Sequence, residues 1–313
     1  MLSFIFRRLI SGVVLLFVIS LITFALLYLG GGDIARRILG ENATAETVAR
    51  RTEELGLNRP FFVQYWDWLT SALTGDLGRS WFTGELVTVS VSGRVAVTLS
   101  LVIGTTVVSA ILAVVLGVWA ARRGGAVDGG VQIFSLIGFA IPGFLIALVL
   151  VLVFAVNLGW FKATGYIPIS TSFTGWLSSV TLPIIALSIG AIAVVAQQVR
   201  GSVIDAMSRD YVRTLRSRGL GSNTVVYQHV LRNAGGPALA VLAVQFIGLL
   251  GGAVIVEQVF AIPGMGQLTV RAGTLGDIPV MMGLVVVYAI IVVIVNLLID
   301  LAQAALNPKV RLS

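Results

Sequence analysis

The residues able to carry chemistry in this chain are few, and most of them fall in one stretch. Asp210-Tyr211-Val212-Arg213-Thr214-Leu215-Arg216-Ser217-Arg218-Gly219-Leu220 is followed closely by Tyr227-Gln228-His229-Val230-Leu231-Arg232-Asn233-Ala234. This basic, polar segment lies between two blocks of nearly uninterrupted apolar sequence, so in a membrane it must form a loop in water that meets something there. Catalysis is not what it offers. The chain has no cysteine, which excludes a disulfide framework, a thiolate nucleophile and a Cys-ligated metal. His229 is the only histidine, so a His-rich metal site or Ser/His/Asp catalysis elsewhere is excluded as well. No catalytic residue, metal site or cofactor is expected, and His229 reads equally well as a partner contact or as an ordinary polar residue of the loop.

The local pattern predicts a shape for the segment. From Ser202 to Arg218 there is neither proline nor glycine, and Val203, Met207, Tyr211 and Leu215 recur every fourth residue with charge between them, as in an amphipathic helix. Gly219 can adopt the positive φ that closes a helix. Ser222 or Asn223 can cap a second short helix through His229 to Ala234, ended by Gly235-Gly236-Pro237.

The rest of the chain accounts for a membrane position. Of its 313 residues, 57% are hydrophobic and 11% charged, and the mean hydropathy is +1.00; a soluble domain carries about 25% charged residues. The net charge of +7 does not indicate nucleic acid, because the basic residues sit at the ends of apolar spans and form no stripe with stacking aromatics. The expected fold is therefore all-α and polytopic. Six spans are read at roughly Leu9 to Leu29, Val97 to Ala121, Val131 to Asn157, Leu182 to Arg200, Ala238 to Phe260 and Val280 to Ala302. The first exceeds a signal-peptide core of about 7–15 residues and lacks a clean cleavage site, so it reads as an uncleaved span. Arg7, Arg8, Arg122, Arg123, the loop after Arg200, Lys309 and Arg311 put the basic residues on one side, which predicts both termini in the cytoplasm.

Three regions follow: an N-terminal span over 1–29, an extracytoplasmic helical region over 30–96, and a five-helix core over 97–313 that includes the loop 201–237. In the second, Thr44 to Leu55 reads as a charged helix ended by Gly56, and Pro60 to Leu73 as one whose Phe61, Phe62, Tyr65, Trp66 and Trp68 suit a membrane-water interface. Within the spans, Pro142 and Pro183 are expected to bend or begin helices, while Gly248, Gly251, Gly252 and Ala253 permit close helix approach. Gly251 to Gly266 reads as a turn-rich external segment carrying Glu257, an acid near a span end on that side. An ionisable group there is a candidate for the external gate, the other reading being a carboxylate that caps the turn. Gln197, Gln198 and Gln245 are polar candidates for a translocation path or for interhelical hydrogen bonds.

No G-x-x-x-x-G-K-[ST] occurs, and the Gly30-Gly31-Gly32 and Gly124-Gly125 stretches lack the phosphate-reaching lysine. The spans also lack the acid and histidine relay that an ion-coupled carrier tends to need. Energy for any uphill movement must come from elsewhere.

The loop resembles the cytoplasmic coupling loop of ABC importer permeases of the dipeptide, oligopeptide and nickel branch (B-type), which reads roughly D-Y-[IV]-R-T-A-[RK]-[AS]-[KR]-G-L with H-x-L-R-N downstream. Asp210, Tyr211, Arg213, Thr214, Gly219, Leu220, His229, Leu231, Arg232 and Asn233 fit, and Leu215 stands where alanine is usual. Glu54-Leu55-Gly56-Leu57-Asn58-Arg59-Pro60, Gly75-Asp76-Leu77-Gly78-Arg79-Ser80, the Glu257 to Gly266 cluster and the Asn307 to Arg311 ending are similar to the same family's patterns. Ile34 replaces the proline usual after Gly32-Asp33. The resemblance covers essentially the whole chain. It implies a type I importer permease fold with an external helical insertion after the first span. Its partners would be a homologous second permease, two cytoplasmic ATPase subunits and an extracytoplasmic solute-binding protein, with membrane lipid and no nucleic acid. The site residues implied for ATPase docking and coupling are Asp210, Tyr211, Arg213, Thr214, Arg216, Arg218, Gly219, His229, Arg232 and Asn233, with Gln198, Gln245 and Glu257 toward the path or gate. The solute would be a peptide, with nickel complexes, glutathione or another peptide-sized solute as alternatives. Two other classes stay open on the residues alone: an ATP-independent carrier or channel, and a receptor or scaffold that binds through residues 30–96.

Overall fold

In the computed structural model, residues 2–30 and 34–306 are described; Asp33 and the terminal Asn307 to Arg311 pattern, with Lys309, lie outside them. The elements in chain order are α1 (Leu2–Gly30), α2 (Ile34–Leu39), α3 (Ala45–Glu54), α4 (Phe61–Leu73), α5 (Val87–Arg123), α6 (Gly125–Ala140), α7 (Gly143–Leu150) with a π-helical continuation Val151–Asn157, α8 (Phe173–Met207), α9 (Asp210–Ser217), α10 (Ser222–Thr224) with a π-helical segment Val225–Val230, α11 (Leu231–Val259), α12 (Met265–Leu275) and α13 (Ile278–Leu306). Among the described residues the β-structure is one isolated bridge, Arg79 with Leu86. Among the described residues, five helices are long and apolar enough to cross a membrane, and the bent pair α6 and α7 makes a sixth span if counted as one. Helices are what the bilayer demands, because a backbone group without a partner in hydrocarbon costs several kcal/mol.

The chain divides into two compact units. One comprises Leu2–Val97 with Pro263–Val293. Here Thr44 caps α3 by accepting from the Thr47 N–H at 3.3 Å, and Pro60 immediately precedes α4, close to the predicted bounds. The aromatic face of α4 packs on α1: Tyr65 meets Phe24 at 5.6 Å between ring centroids and shares a 2.9 Å hydrogen bond with Ser20. Phe62 and Trp66 alone among the five predicted interface aromatics are strongly exposed, at 76% and 62%. The Ser80 hydroxyl donates to Asp277 at 2.5 Å, and the Trp81 N–H donates to the same carboxylate at 3.2 Å. This fastens the segment before α5 to the α12–α13 junction.

The second unit comprises Thr98–Ile262 with residues 294–306. At its centre lies α8, whose membrane-length window is 67% buried. The closest approach is at a glycine that was not predicted: a Cβ at Gly117 would come within 2.8 Å of both the Ala196 carbonyl oxygen and the Val199 Cβ, whereas of the predicted positions Gly248 and Gly251 face open space, a Cβ at Gly252 would lie 3.9 Å from Leu187, and Ala253 is fully buried. The Arg200 guanidinium on α8 makes a two-point ion pair with Asp128 in the first turn of α6, with Nη2 donating to Oδ2 at 2.6 Å and Nε to Oδ1. The side chains are about one-fifth exposed, at 22% and 18%, and such paired geometry is the strong form of this contact.

Several predicted bounds are corrected. The second apolar segment belongs to a helix that begins at Val87 and so precedes the predicted Val97, with Val87 and Val91 buried. The third is two helices bent by 92°; Ile141 is extended (ψ 120°) ahead of Pro142, as the proline ring requires of its neighbour. The fourth starts at Phe173, capped by Ser172, and runs past Arg200 to Met207, with Pro183 inside it. The glycines at 251 and 252 lie within α11, and the turn is confined to the residues between Val259 and Met265.

Two outcomes test this packing. Gly117→Val overpacks the contact between α5 and α8 and is expected to cost roughly 1–3 kcal/mol, seen as a lower Tm in detergent, while Gly248→Ala leaves Tm unchanged or slightly raised. Asp128→Ala and Arg200→Ala should each lower Tm, and their double-mutant cycle should show a coupling of about 0.5–3 kcal/mol; strictly additive effects would mean that the ion pair contributes nothing.

Candidate coupling site

The predicted helix from Ser202 to Arg218 is two helices. It breaks where the Ser208 hydroxyl turns back to the Asp205 carbonyl at 2.8 Å and Arg209 becomes extended (ψ 149°). The break changes the phase, so the deepest residue of α9 is Val212, which is 1% exposed and was not among the predicted apolar positions. Val212 joins Val203, Ala206, Val225, Val226 and Val230 in one buried cluster, with Met207, Tyr211, Leu215 and Leu220 packed at its edge.

Gly219 closes α9 as predicted. At φ +81° it lets the Gly219 N–H reach the Arg216 carbonyl at 2.9 Å and the Leu220 N–H reach that of Leu215 at 3.3 Å. These two bonds, with Leu215 and Leu220 both at the cluster edge, form a Schellman ending. Beyond it the chain departs from the prediction again. Gly221 precedes α10 without a side-chain cap, and the helix continues through the π-helical segment into α11, passing Gly235-Gly236-Pro237 without stopping. Within 201–237, the long helices end at Met207 and resume from Ser222, with α9 between them.

The predicted docking residues separate into two groups. Asp210, Arg213, Thr214, Arg216, Arg218 and Gly219 are exposed on the outer face of α9 and its end. The nearest ion pair, Arg213 with Asp210 at 3.9 Å, has side chains 85% and 98% exposed and contributes little to stability. Tyr211, His229 and Asn233 instead clasp the loop: the Asn233 Nδ2 donates to the Tyr211 hydroxyl at 3.2 Å and to the His229 carbonyl at 3.1 Å. Arg232 is exposed beside them.

Residues that sequence reasoning passed over brace this arrangement. Arg122, at the end of α5, donates to the Asn223 side-chain oxygen at 2.6 Å and lies over the Tyr227 ring at 5.7 Å. Asp128 with Arg200 ties α6 to α8. The available signal was Arg122 and Arg200 at span ends, which charge counting reads as topology, and Asp128, which the sequence alone did not single out.

The path and gate candidates do not gather with the loop. Gln198 donates to Ser202 on its own helix at 3.1 Å, Gln245 is half-buried on α11, and Gln197 lines a groove with Gln132 and Ser135. Glu257 has no exposed surface. Its carboxylate accepts from the Thr98 hydroxyl at 2.6 Å, and its carbonyl accepts from the Ile262 N–H at 2.8 Å, closing the turn after α11.

Similarity to known proteins agrees with this architecture. The chain is 38% identical to a probable peptide ABC transporter permease protein of Sinorhizobium fredii, over 98% of this chain and 99% of the relative. It is 33% identical to the glutathione transport system permease protein GsiC of Escherichia coli, over 99% of each. Among solved structures, the inward-facing MetNI methionine ABC transporter contains a chain of the same fold, with a TM-score of 0.52 at 20% identity over 69% of this chain and 96% of that one. Residues 113–312 match the signature of the binding-protein-dependent transport system inner membrane component, and residues 1–102 that of its N-terminal part. With its signatures matched along nearly the whole length and relatives more than 30% identical over the full chain, the chain belongs to the family of binding-protein-dependent transport system inner-membrane components, as a B-type importer permease.

Proposed function

We propose that this permease subunit imports peptides, driven by ATP that separate subunits hydrolyse, and that α9 is the element through which it is driven. The observation that carries this reading is the two-sided character of α9: a buried Val212 face that joins it to the ends of α8 and α11, and an outer face whose cations Arg213, Arg216 and Arg218 are exposed and whose ion pair, Arg213 with Asp210, is long and solvated. A short helix built in this way suits a groove on an ATPase, because movement of the partner passes into the spans without being lost in a flexible loop. In this reading the α9 side and both termini are cytoplasmic, the external helical region lies within residues 30–96, and the five-helix core is 97–313. A second permease, two ATPase subunits and an extracytoplasmic solute-binding protein complete the assembly in the cytoplasmic membrane.

Asp210, Arg213, Thr214, Arg216 and Arg218 would meet the ATPase, while Tyr211, His229, Arg232 and Asn233 would hold the loop in shape and Gly219 would end the lever. The full-length relatives are named for peptide and glutathione transport, which favours a peptide-sized solute over a nickel complex. Gln198 and Gln245 remain the proposed polar members of the path. Glu257 would serve the external gate from within, by holding α5 to the end of α11 through Thr98.

Gly219→Pro cannot adopt φ +81°, because proline is held near −65°, and Arg213→Glu with Arg216→Glu reverses the docking face. Both variants are expected to insert normally and lose uptake in whole cells by at least about tenfold, that is, by roughly 1.4 kcal/mol of coupling or more. Undiminished uptake would refute the role of α9. Reconstitution of the chain alone separates the other classes: a self-sufficient carrier would transport without ATP, and a receptor would bind partners yet move nothing with the full assembly present.

A further inference from the structure

The end of α5, whose Arg122 braces the loop through Asn223 and Tyr227, carries further features that this bracing does not use. Val107, Ile111, Val115 and Trp119 recur every fourth residue and are 51%, 60%, 58% and 50% exposed, so they form one apolar stripe along the helix. At 1.5 Å per residue the stripe is about 18 Å long, close to the roughly 15 Å of hydrocarbon in one leaflet. It runs directly into Arg122 and Arg123, where a cleft of about 440 Å³ is lined by Val115, Val118, Trp119, Arg122, Arg123 and Tyr227. Arg122 is oriented by neutral groups only, the Asn223 side-chain oxygen at 2.6 Å and the Tyr227 ring and hydroxyl. Arg123 is exposed, and neither arginine has a carboxylate partner among the described residues.

We propose that this cleft binds one anionic phospholipid, with its phosphodiester between Arg122 and Arg123 and an acyl chain along the Val107 to Trp119 stripe. Two adjacent guanidinium groups without a counter-charge suit a phosphate oxygen pair. The leaflet-length apolar stripe selects a lipid over a soluble anion, and Trp119 and Tyr227 supply the aromatic rings favoured at the headgroup level. Because Tyr227 belongs to the π-helical segment that follows α9, the lipid would bridge α5 and the loop. The assignment does not depend on which solute is carried.

The test uses the full chain, delipidated in detergent and titrated with phosphatidylglycerol or phosphatidylcholine under native mass spectrometry. One phosphatidylglycerol per chain should be retained at least tenfold more tightly than phosphatidylcholine. Arg122→Ala with Arg123→Ala should abolish that preference, and Arg50→Ala with Arg51→Ala, which removes the same charge elsewhere, should keep it. Val115→Glu, which leaves both arginines in place, should also release the lipid and covers the case in which the arginine variant fails to fold. Equal retention of the two lipids, retention unaffected by the arginine and Val115 variants, or displacement by inorganic phosphate would overturn the proposal. So would absence of bound phosphatidylglycerol in the chain purified with its transporter partners.

Discussion

Withdrawal of Val212 and its valine neighbours from water is the interaction on which the coupling element rests. A helix of eight residues such as α9 is far below the length at which an isolated helix holds together in water, and its exposed ion pair adds little. Its shape therefore comes from the cluster with Val203, Ala206, Val225, Val226 and Val230, secured at one end by the Gly219 closure and across the loop by Asn233 with Tyr211. The same burial makes α9 an extension of α8 and α11. In the proposed coupling role, the burial that keeps α9 folded would also carry its movement into α8 and α11.

Charged and polar groups near the helix ends do a different job. Arg200 with Asp128, and Arg122 with Asn223, join neighbouring helices where the apolar spans give out. In the membrane interior the second unit relies on glycine and alanine contacts, which gain van der Waals packing from close approach. At the span ends, directional bonds set which helix termini stay together. Glu257 with Thr98 is the same device at the α11 end, buried completely.

Three prolines show how far local preference reaches. Each removes a backbone donor, yet Pro142 separates two helices at 92°, while Pro183 and Pro237 are carried inside α8 and α11. Around Pro183, Val180, Leu182 and Ala186 are buried, and the helix continues through the lost bond. Ile141 and Pro142 are exposed, so nothing compels the chain to continue in one direction. The ring chemistry is identical, and the packing differs.

From the sequence alone came the helical class, the six apolar segments, the charged helix from Thr44 to Leu55, the closure at Gly219 and the basic loop with its family pattern. All of these depend on residue type and short spacing, which act locally. Tertiary structure decided that the Ser202 helix breaks at Ser208, that Val212 is the residue that anchors α9, and that Arg200 and Arg122 are helix ties as well as topology marks. It also decided that Gly117, and not Gly248, is where helices meet closely. Each of these depends on what another part of the chain brings within a few ångströms, a separation that spacing along one segment does not encode.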